Sequence, residues 1–430
     1  MKTNKKFHII IIIIILIVGY LNYFKEEKIE KIEEKTEVIT KNIDYKGNDY
    51  EIFADKQTDF LNKKESFFNM ARAVVENLVL TGDNAILDKD KNLFLNSNVK
   101  GKSLDGWEFQ SKTFKFERNK KEISSETGIF LKNKEEKTEI SGDKFKSDTQ
   151  MTKMVIEGNA VVVYGDMTLK SHILKYNKET TEIEVPGKYE ITQPGMKMNG
   201  VDLKLNRNSG EISSGKIKIT TDKNESFEAG KAEGNLNKGR INFTKKPRGR
   251  TYQDKEPIDY NGELLILYLI KENKKYIAKK IVLEKNATLK NKSSTLYSKR
   301  TDIDLITKIA VSIDTPKTII QDEINGKTVI TSDTLEFHMS KKRIYLKENV
   351  VFNNNNPKKG KTKGTGKTGI IYTEKKIIEL KKNAIVDAPE AIIYADKIIY
   401  KSETRKIDAT GNVIVDYKKT KGEKDDKFNS

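Results

Sequence analysis

"TSDTLEFHMSKKRIYLKENVVF" occupies residues 331–352, and "YADKIIYKSETRKIDATGNVIVDY" occupies residues 394–417. The two stretches share a spacing more than they share residues. In the first, Ser332 precedes Leu335 and Phe337, a charged turn follows, then Ile344, then Asn349, Val350 and Phe352. In the second, Ala395 precedes Ile398 and Tyr400, then come Ile407, Gly411, Val413 and Val415. "LEF" and "IIY" alternate apolar and other residues as half-buried strands do. "MSKK" and "KSETR" have turn composition, and the isoleucine opens a return strand. The Gly or Asn beyond it suits a bulge or kink before the next apolar pair.

The same spacing recurs upstream. Ser111 leads to Phe114, Phe116 and Ile123; Ser171 to Leu174, Tyr176 and Ile183; Gly200 to Leu203, Leu205 and Ile212. In all five copies the small residue stands three places before the first apolar position, and nine places separate that position from the isoleucine. A second signature accompanies it: "GNAVV", "KNATL", "ENVVF", "KNAIV" and "GNVIV". Spacing kept while side chains vary specifies geometry rather than chemistry. Each unit is about one hairpin, and a lone hairpin is marginal in water, so the units must stack. The expected fold is therefore all-β, with stacked antiparallel strands. One helix is expected after the amino end, around Phe67–Leu78, where Ala71, Val74, Val75 and Leu78 share a helical face, with strand as the alternative for "AVVENLVL". The polar stretch "TKKPRGRTYQDKEPIDYNGE" at 244–263 reads as a boundary between two β modules or a long loop within one.

The 430 residues suffice for two domains or one elongated one. Apolar residues make up 36% and charged residues 33%, polar for a globular chain yet too rich in large apolar side chains for disorder. Cysteine is absent, which excludes disulfides, thiol catalysis, thiolate metal sites and a lipid-modified cysteine. The net charge of +18 suits a solvated surface or contact with anionic lipid. No nucleic-acid-binding motif accompanies the scattered lysines.

At the amino end, Lys2, Lys5 and Lys6 precede an apolar run from Phe7 to Phe24. That run is long enough for a single transmembrane helix, with its amino end cytoplasmic by the positive-inside rule. Without a small-residue cleavage motif it reads as an uncleaved anchor. The rest of the chain is then expected outside the inner membrane, in the periplasm.

"SHILKYNKETTEIEVPGKYEITQPGMKMNGVDLKLNRNSGEISSGKIKI" resembles the LptC family of lipopolysaccharide-transport proteins, and the anchor before it strengthens the likeness. The two stretches quoted at the outset are similar to the related LptA/OstA family. The resemblance covers most of 80–225 and 325–417, and implies an elongated open β-jellyroll. It divides the chain into an anchor (7–24), a charged linker or stalk (25–65), an LptC-like module (66–245), an LptA/OstA-like module (260–418) and a charged tail (419–430). One long jellyroll is the alternative. It implies transport of lipopolysaccharide or a related glycolipid, with inner-membrane ABC transporter subunits and an LptA-like jellyroll as partners.

The expected working part is an apolar trough lined by Phe114, Phe116, Leu174, Tyr176, Leu203, Leu205, Leu335, Phe337, Ile398 and Tyr400. Residues 411–417, with Gly411, Val413 and Val415, form a candidate edge for pairing with a partner strand. No enzymatic activity, cofactor or metal is called for. "GKTKGTGKTG" at 360–369 lacks the phosphate-loop spacing and precedes a strand pattern rather than a helix. His172 and His338 have no matching ligands nearby in sequence, and Trp107 reads as core. A membrane-anchored β-repeat scaffold or adhesin that binds protein is the alternative function.

Overall fold

The computed structural model describes residues 37–135, 137–253, 255–272, 275–322, 326–357 and 360–418. Their regular elements are β-strands and two short 3-10 turns, so the chain is all-β over these residues. No helix among them is long and apolar enough to cross a membrane. The expected anchor at 7–24, the first part of the stalk and the tail at 419–430 lie outside the described residues.

The described residues divide into two units. One comprises residues 37–128 with Asp148–Gln150, the other Ile129–Ser147 with residues 151–418. The first unit is a meander: Glu37–Lys46, Tyr50–Phe60, Glu65–Val75, Leu78–Leu87, Leu93–Ser103 and Trp107–Glu117 pair antiparallel in chain order. Its centre is aromatic. Phe109 stacks on Phe114 at 5.3 Å, and Tyr50 meets Phe116 edge-on at 5.9 Å. Trp107 is buried, as a core residue should be.

Two expectations are corrected in this unit. Residues 37–60 are paired strands, not a stalk. The first is exposed along nearly its whole length, so burial imposes no alternation for a reader to find. The expected helix at 67–78 is also strand. Met70 adopts φ 50°, and the pairing skips from Asn69–Asn84 to Ala71–Gly82. The kink at Met70, made without a change of register, leaves buried Phe68 and Ala71 three apart, a spacing that imitates a helical face.

In the second unit each long strand serves two layers. Lys153–Tyr164, Met167–Asn177, Glu182–Gln193 and Met196–Asn206 pair in order, each pairing interrupted near its middle. After Asn206 the bend becomes a break. Glu211–Ser214 continues one layer and Ile217–Thr221 the other. The first layer passes through Lys231–Asn235, Arg240–Thr244 and Leu264–Glu272. The second passes through Ser226–Ala229, Arg248–Gln253 and Glu256–Asn261. Both rejoin on Lys275–Lys290, whose 16 residues pair with the two layers in turn. The stretch at 244–263 is thus largely a hairpin of the second layer, and the division into units falls elsewhere. The layers part again after Ser294–Asp304 and reunite on Arg343–Asn356, followed by strands to Tyr417.

The bends lie where the second sequence signature stands. Pairing shifts between Glu157 and Ala160, Glu284 and Ala287, Lys347 and Val350, and Lys381 and Ala384. In each gap two consecutive residues, the second an asparagine, take positive φ. Asn tolerates that conformation better than most side chains. Asn159, Asn349 and Asn412 also donate through Nδ2 to Asp143, Asp333 and Asp396 at 2.8–3.0 Å. The small residue of the repeat sits at the same bend. Ser111, Ser171 and Ser332 each donate Oγ–H to the carbonyl two residues on, at 2.9–3.1 Å.

Candidate functional site

Cross-strand pairs build two apolar ladders in the second unit. In the first layer Tyr176 opposes Ile183, Ile183 opposes Leu205, and Leu205 opposes Ile212. The ladder resumes beyond Gly234 with Ile241, Leu267, Ile281 and Ile303. It reaches Tyr400 through Phe337, Ile344, Ile371 and Ile378. In the second layer Leu169, Ile191, Met198, Ile219 and Phe227 oppose one another in sequence. The period-two geometry of strands keeps each row on one face. The layers turn these faces toward each other. Phe227 meets Phe243 edge-on at 4.7 Å, and Phe352 stacks on Tyr400 at 5.1 Å.

Burial along these rows is uneven. Toward the carboxyl end the interior is closed: Ile330, Phe352, Ile371, Val386 and Tyr400 are 0–2% exposed. Between Tyr176 and Leu289 the interior-facing Ile183, Ile191, Met198, Leu205, Phe227 and Leu267 remain half-buried. Apolar side chains that face inward yet stay accessible are the feature an apolar ligand needs.

Between these regions the interior turns polar. Thr301, Ser312 and Thr318 are buried, and Ser298, Thr301 and Ser312 form a hydroxyl chain at 2.7 and 2.8 Å. Thr318 Oγ1 has no hydrogen-bond partner. Other interior polar side chains pair with one another: Tyr189 Oη and Ser214 Oγ are 2.8 Å apart, and Asn354 donates to Thr328 at 2.8 Å. Burial pushes the Tyr260 phenol up to about 12, with the Glu225 charge adding to it. Among the described residues no group of three or more His, Asp or Glu side chains is placed to hold a metal ion.

The ten residues expected to line a trough fall into two groups. Phe114, Phe116, Leu335, Ile398 and Tyr400 are 0–2% exposed, and Leu174 and Leu203 are also buried. Tyr176, Leu205 and Phe337 are half-buried. The repeat did not single out the second-layer positions Met198 and Phe227, nor Ile241 and Leu267 in the first layer. Those in 225–325 belong to short strands that break the repeat, so no fixed spacing marks them. The candidate edge is the strand Ile414–Tyr417, which pairs with Ala391–Tyr394 and with no other described strand. Val413 and Val415 are 46% and 39% exposed, and Gly411 takes φ 74° at the bend.

The family comparison falls on the closed end. Residues 322–406 match the family model described as LptA/(LptD N-terminal domain) LPS transport protein. This segment is similar to the LptA/LptD amino-terminal family. A crystal structure of LptH, the LptA homologous periplasmic component of the lipopolysaccharide transport device from Pseudomonas aeruginosa, aligns with 39% of this chain and 96% of its own, at 16% identity and a TM-score of 0.19. An overlay that slight bears on neither fold nor function. No curated protein matches the chain.

Proposed function

We propose that this chain is a non-enzymatic carrier in lipopolysaccharide transport, holding acyl chains between the two layers of an open β-jellyroll. The similarity of residues 322–406 to a lipopolysaccharide-transport family supports the pathway. The observation that carries the mechanism is the row of inward-facing, half-buried apolar side chains between Tyr176 and Leu289. Burying a methylene contributes roughly 0.8 kcal/mol, so an acyl chain of about ten carbons gains about 8 kcal/mol gross. That offsets much of its cost of leaving a bilayer, and no reactive group is required. The finer assignment is to an LptC-like protein, anchored in the inner membrane through residues 7–24, with its bulk in the periplasm. It receives lipid from ABC transporter subunits and passes it to an LptA-like jellyroll along the edge strand at 411–417.

Photo-crosslinkers at Leu205 and Phe352 test this reading during active transport. Lipopolysaccharide adducts are expected at Leu205, in the accessible stretch, and not at Phe352. Adducts at neither position while transport proceeds would refute the carrier reading. Protein adducts at Leu205 would replace it with a scaffold that binds protein.

A further inference from the structure

On one side the two layers of the second unit are joined by the bends. On the other side they end in turns, and at the closed end polar contacts cross there from layer to layer. Arg405 lies in the turn after Ala391–Lys401, at the end of the first layer away from the bend. Its Nη2 donates to Thr362 Oγ1 at 2.6 Å. Thr362 stands on Gly360–Tyr372 in the second layer, opposite Asn354. Beside this contact Tyr400 Oη donates to Asn354 Oδ1 at 3.4 Å, and Asn354 Nδ2 donates to Thr328 at 2.8 Å.

Arg405 departs from the turns before it. Lys342 and Lys376 hold the equivalent place in the two preceding turns, with φ 50° and 51° against 59° for Arg405. Both reach along the row of turns, Lys342 to Glu374 at 2.6 Å and Lys376 to Glu403 at 3.1 Å. The turn of Arg405 is the last of that row among the described residues, and its side chain crosses to the other layer instead.

The receiving row is polar where its neighbour is not. Thr328, Asn354 and Thr362 oppose one another across strands and are 2–7% exposed. Two residues along, on the same face, Ile330, Phe352 and Gly364 oppose one another. An apolar margin closes by burial and is costly to expose. A polar margin exchanges its bonds for bonds to water at little net cost, which suits a seam that opens. The Arg405 bond has an ionised donor and is the stronger of the two that cross.

We propose that the Arg405–Thr362 bond, backed by Tyr400–Asn354, is a bolt across the open side of the jellyroll. Shut, it closes the carboxyl-terminal interior to lipid. Open, it lets lipid pass from the accessible stretch between Tyr176 and Leu289 toward the terminal strand. The inference rests on the carrier reading, because lipid handed on at 411–417 must cross the stretch where Phe352, Ile371 and Val386 are 0–2% exposed.

Two measurements on the full chain test the bolt, the first without lipid. The chain has no cysteine, so Ile393→Cys, half-buried against the closed interior, reports the access of a small maleimide. Labelling is expected to be about fivefold or more faster with Arg405→Ala than with Arg405 in place. An unchanged rate would overturn the proposal whether or not the chain carries lipid. The second measurement follows lipopolysaccharide adducts of azidophenylalanine at position 352 during transport. With Thr362→Cys and Arg405→Cys together, adducts are expected while the thiols are free and should vanish when a cleavable bis-thiosulfonate linker joins them, with adducts at Leu205 unchanged. Adducts at 352 that ignore the linker would also overturn the proposal, and would place the closure in the packing of Phe352 on Tyr400. Adducts missing at Leu205 as well would strike the carrier reading itself, and the maleimide rate then decides the bolt.

Discussion

Phe352 lies against Gly364, its partner on the adjacent strand, so closely that a methyl group on the glycine would fall 2.0 Å from ring carbon Cε1. The ring cannot retreat freely, because its other neighbour is the stacked ring of Tyr400 at 5.1 Å. Tyr189 over Gly200 and Tyr260 over Gly249 repeat the arrangement. Gly364→Ala is expected to destabilise the second unit by about 1–3 kcal/mol, the usual cost of overpacking. Made in a Phe352→Leu background, the same substitution should cost much less. Urea unfolding of the single and double variants measures that coupling. Equal costs in both backgrounds would show that the ring does not set the need for glycine.

Asn349 takes φ 50° and donates Nδ2–H to Asp333 Oδ2 at 2.8 Å. The residue therefore combines a left-handed conformation with a cross-bend hydrogen bond. Asn349→Ala loses both and should cost about 1–2 kcal/mol. Asn349→Gly loses the bond alone, and should recover about half of that. Melting curves of the two variants distinguish the contributions. If glycine is as damaging as alanine, the side-chain bond to Asp333 carries the whole effect.

The bends were legible because they depend on local chemistry. A left-handed residue asks for Gly or Asn whatever lies across the sheet, so Gly158–Asn159 and Glu348–Asn349 mark their own positions. The alternation around Leu335 and Ile398 is equally local. Openness of the interior is not. Tyr176, Phe337 and Tyr400 hold the same slot in the repeat, yet Tyr400 is 1% exposed and the other two are half-buried. That difference depends on what the opposite layer presents, Phe352 in the case of Tyr400. Strands exposed on both sides leave no pattern, which hid Glu37–Lys46. The left-handed kink at Met70 disguised a strand as a helix by interrupting its alternation of buried and exposed residues.

Glu117 offers a pH test in the first unit. The ammonium of Lys115, and then that of Lys120 at 2.6 Å, hold its carboxyl at about 2, well below its ordinary value. A carboxyl depressed in the folded state stabilises it above the unfolded pKa, and that contribution disappears as pH falls through the folded value. Glu117→Gln should therefore be less stable than the parent at neutral pH, by about 1 kcal/mol after solvent screening. The gap should narrow between about pH 4.5 and 2 and vanish below that. Denaturant midpoints across this window give the result. A gap independent of pH would mean that shape rather than charge is what Gln fails to supply.

Thr318 presents a different imbalance. Its side chain is 4% exposed and its hydroxyl has no partner, although Thr301 and Ser312 nearby in sequence bond to each other at 2.8 Å. A buried hydroxyl stripped of water without a replacement bond costs about 1–3 kcal/mol. Valine has nearly the same shape without that cost. Thr318→Val should accordingly stabilise the second unit by about 1 kcal/mol, whereas Thr301→Val breaks a satisfied hydroxyl chain and should destabilise it by a similar amount. The opposite signs are the substance of the prediction, since both changes add the same methyl group in the same polar section of the interior. Thermal unfolding of the two variants reads them directly. A loss of stability in Thr318→Val would mean that this hydroxyl is bonded in solution, by water or by a bound molecule, and that the polar section is a wet site rather than a dry break between two apolar regions.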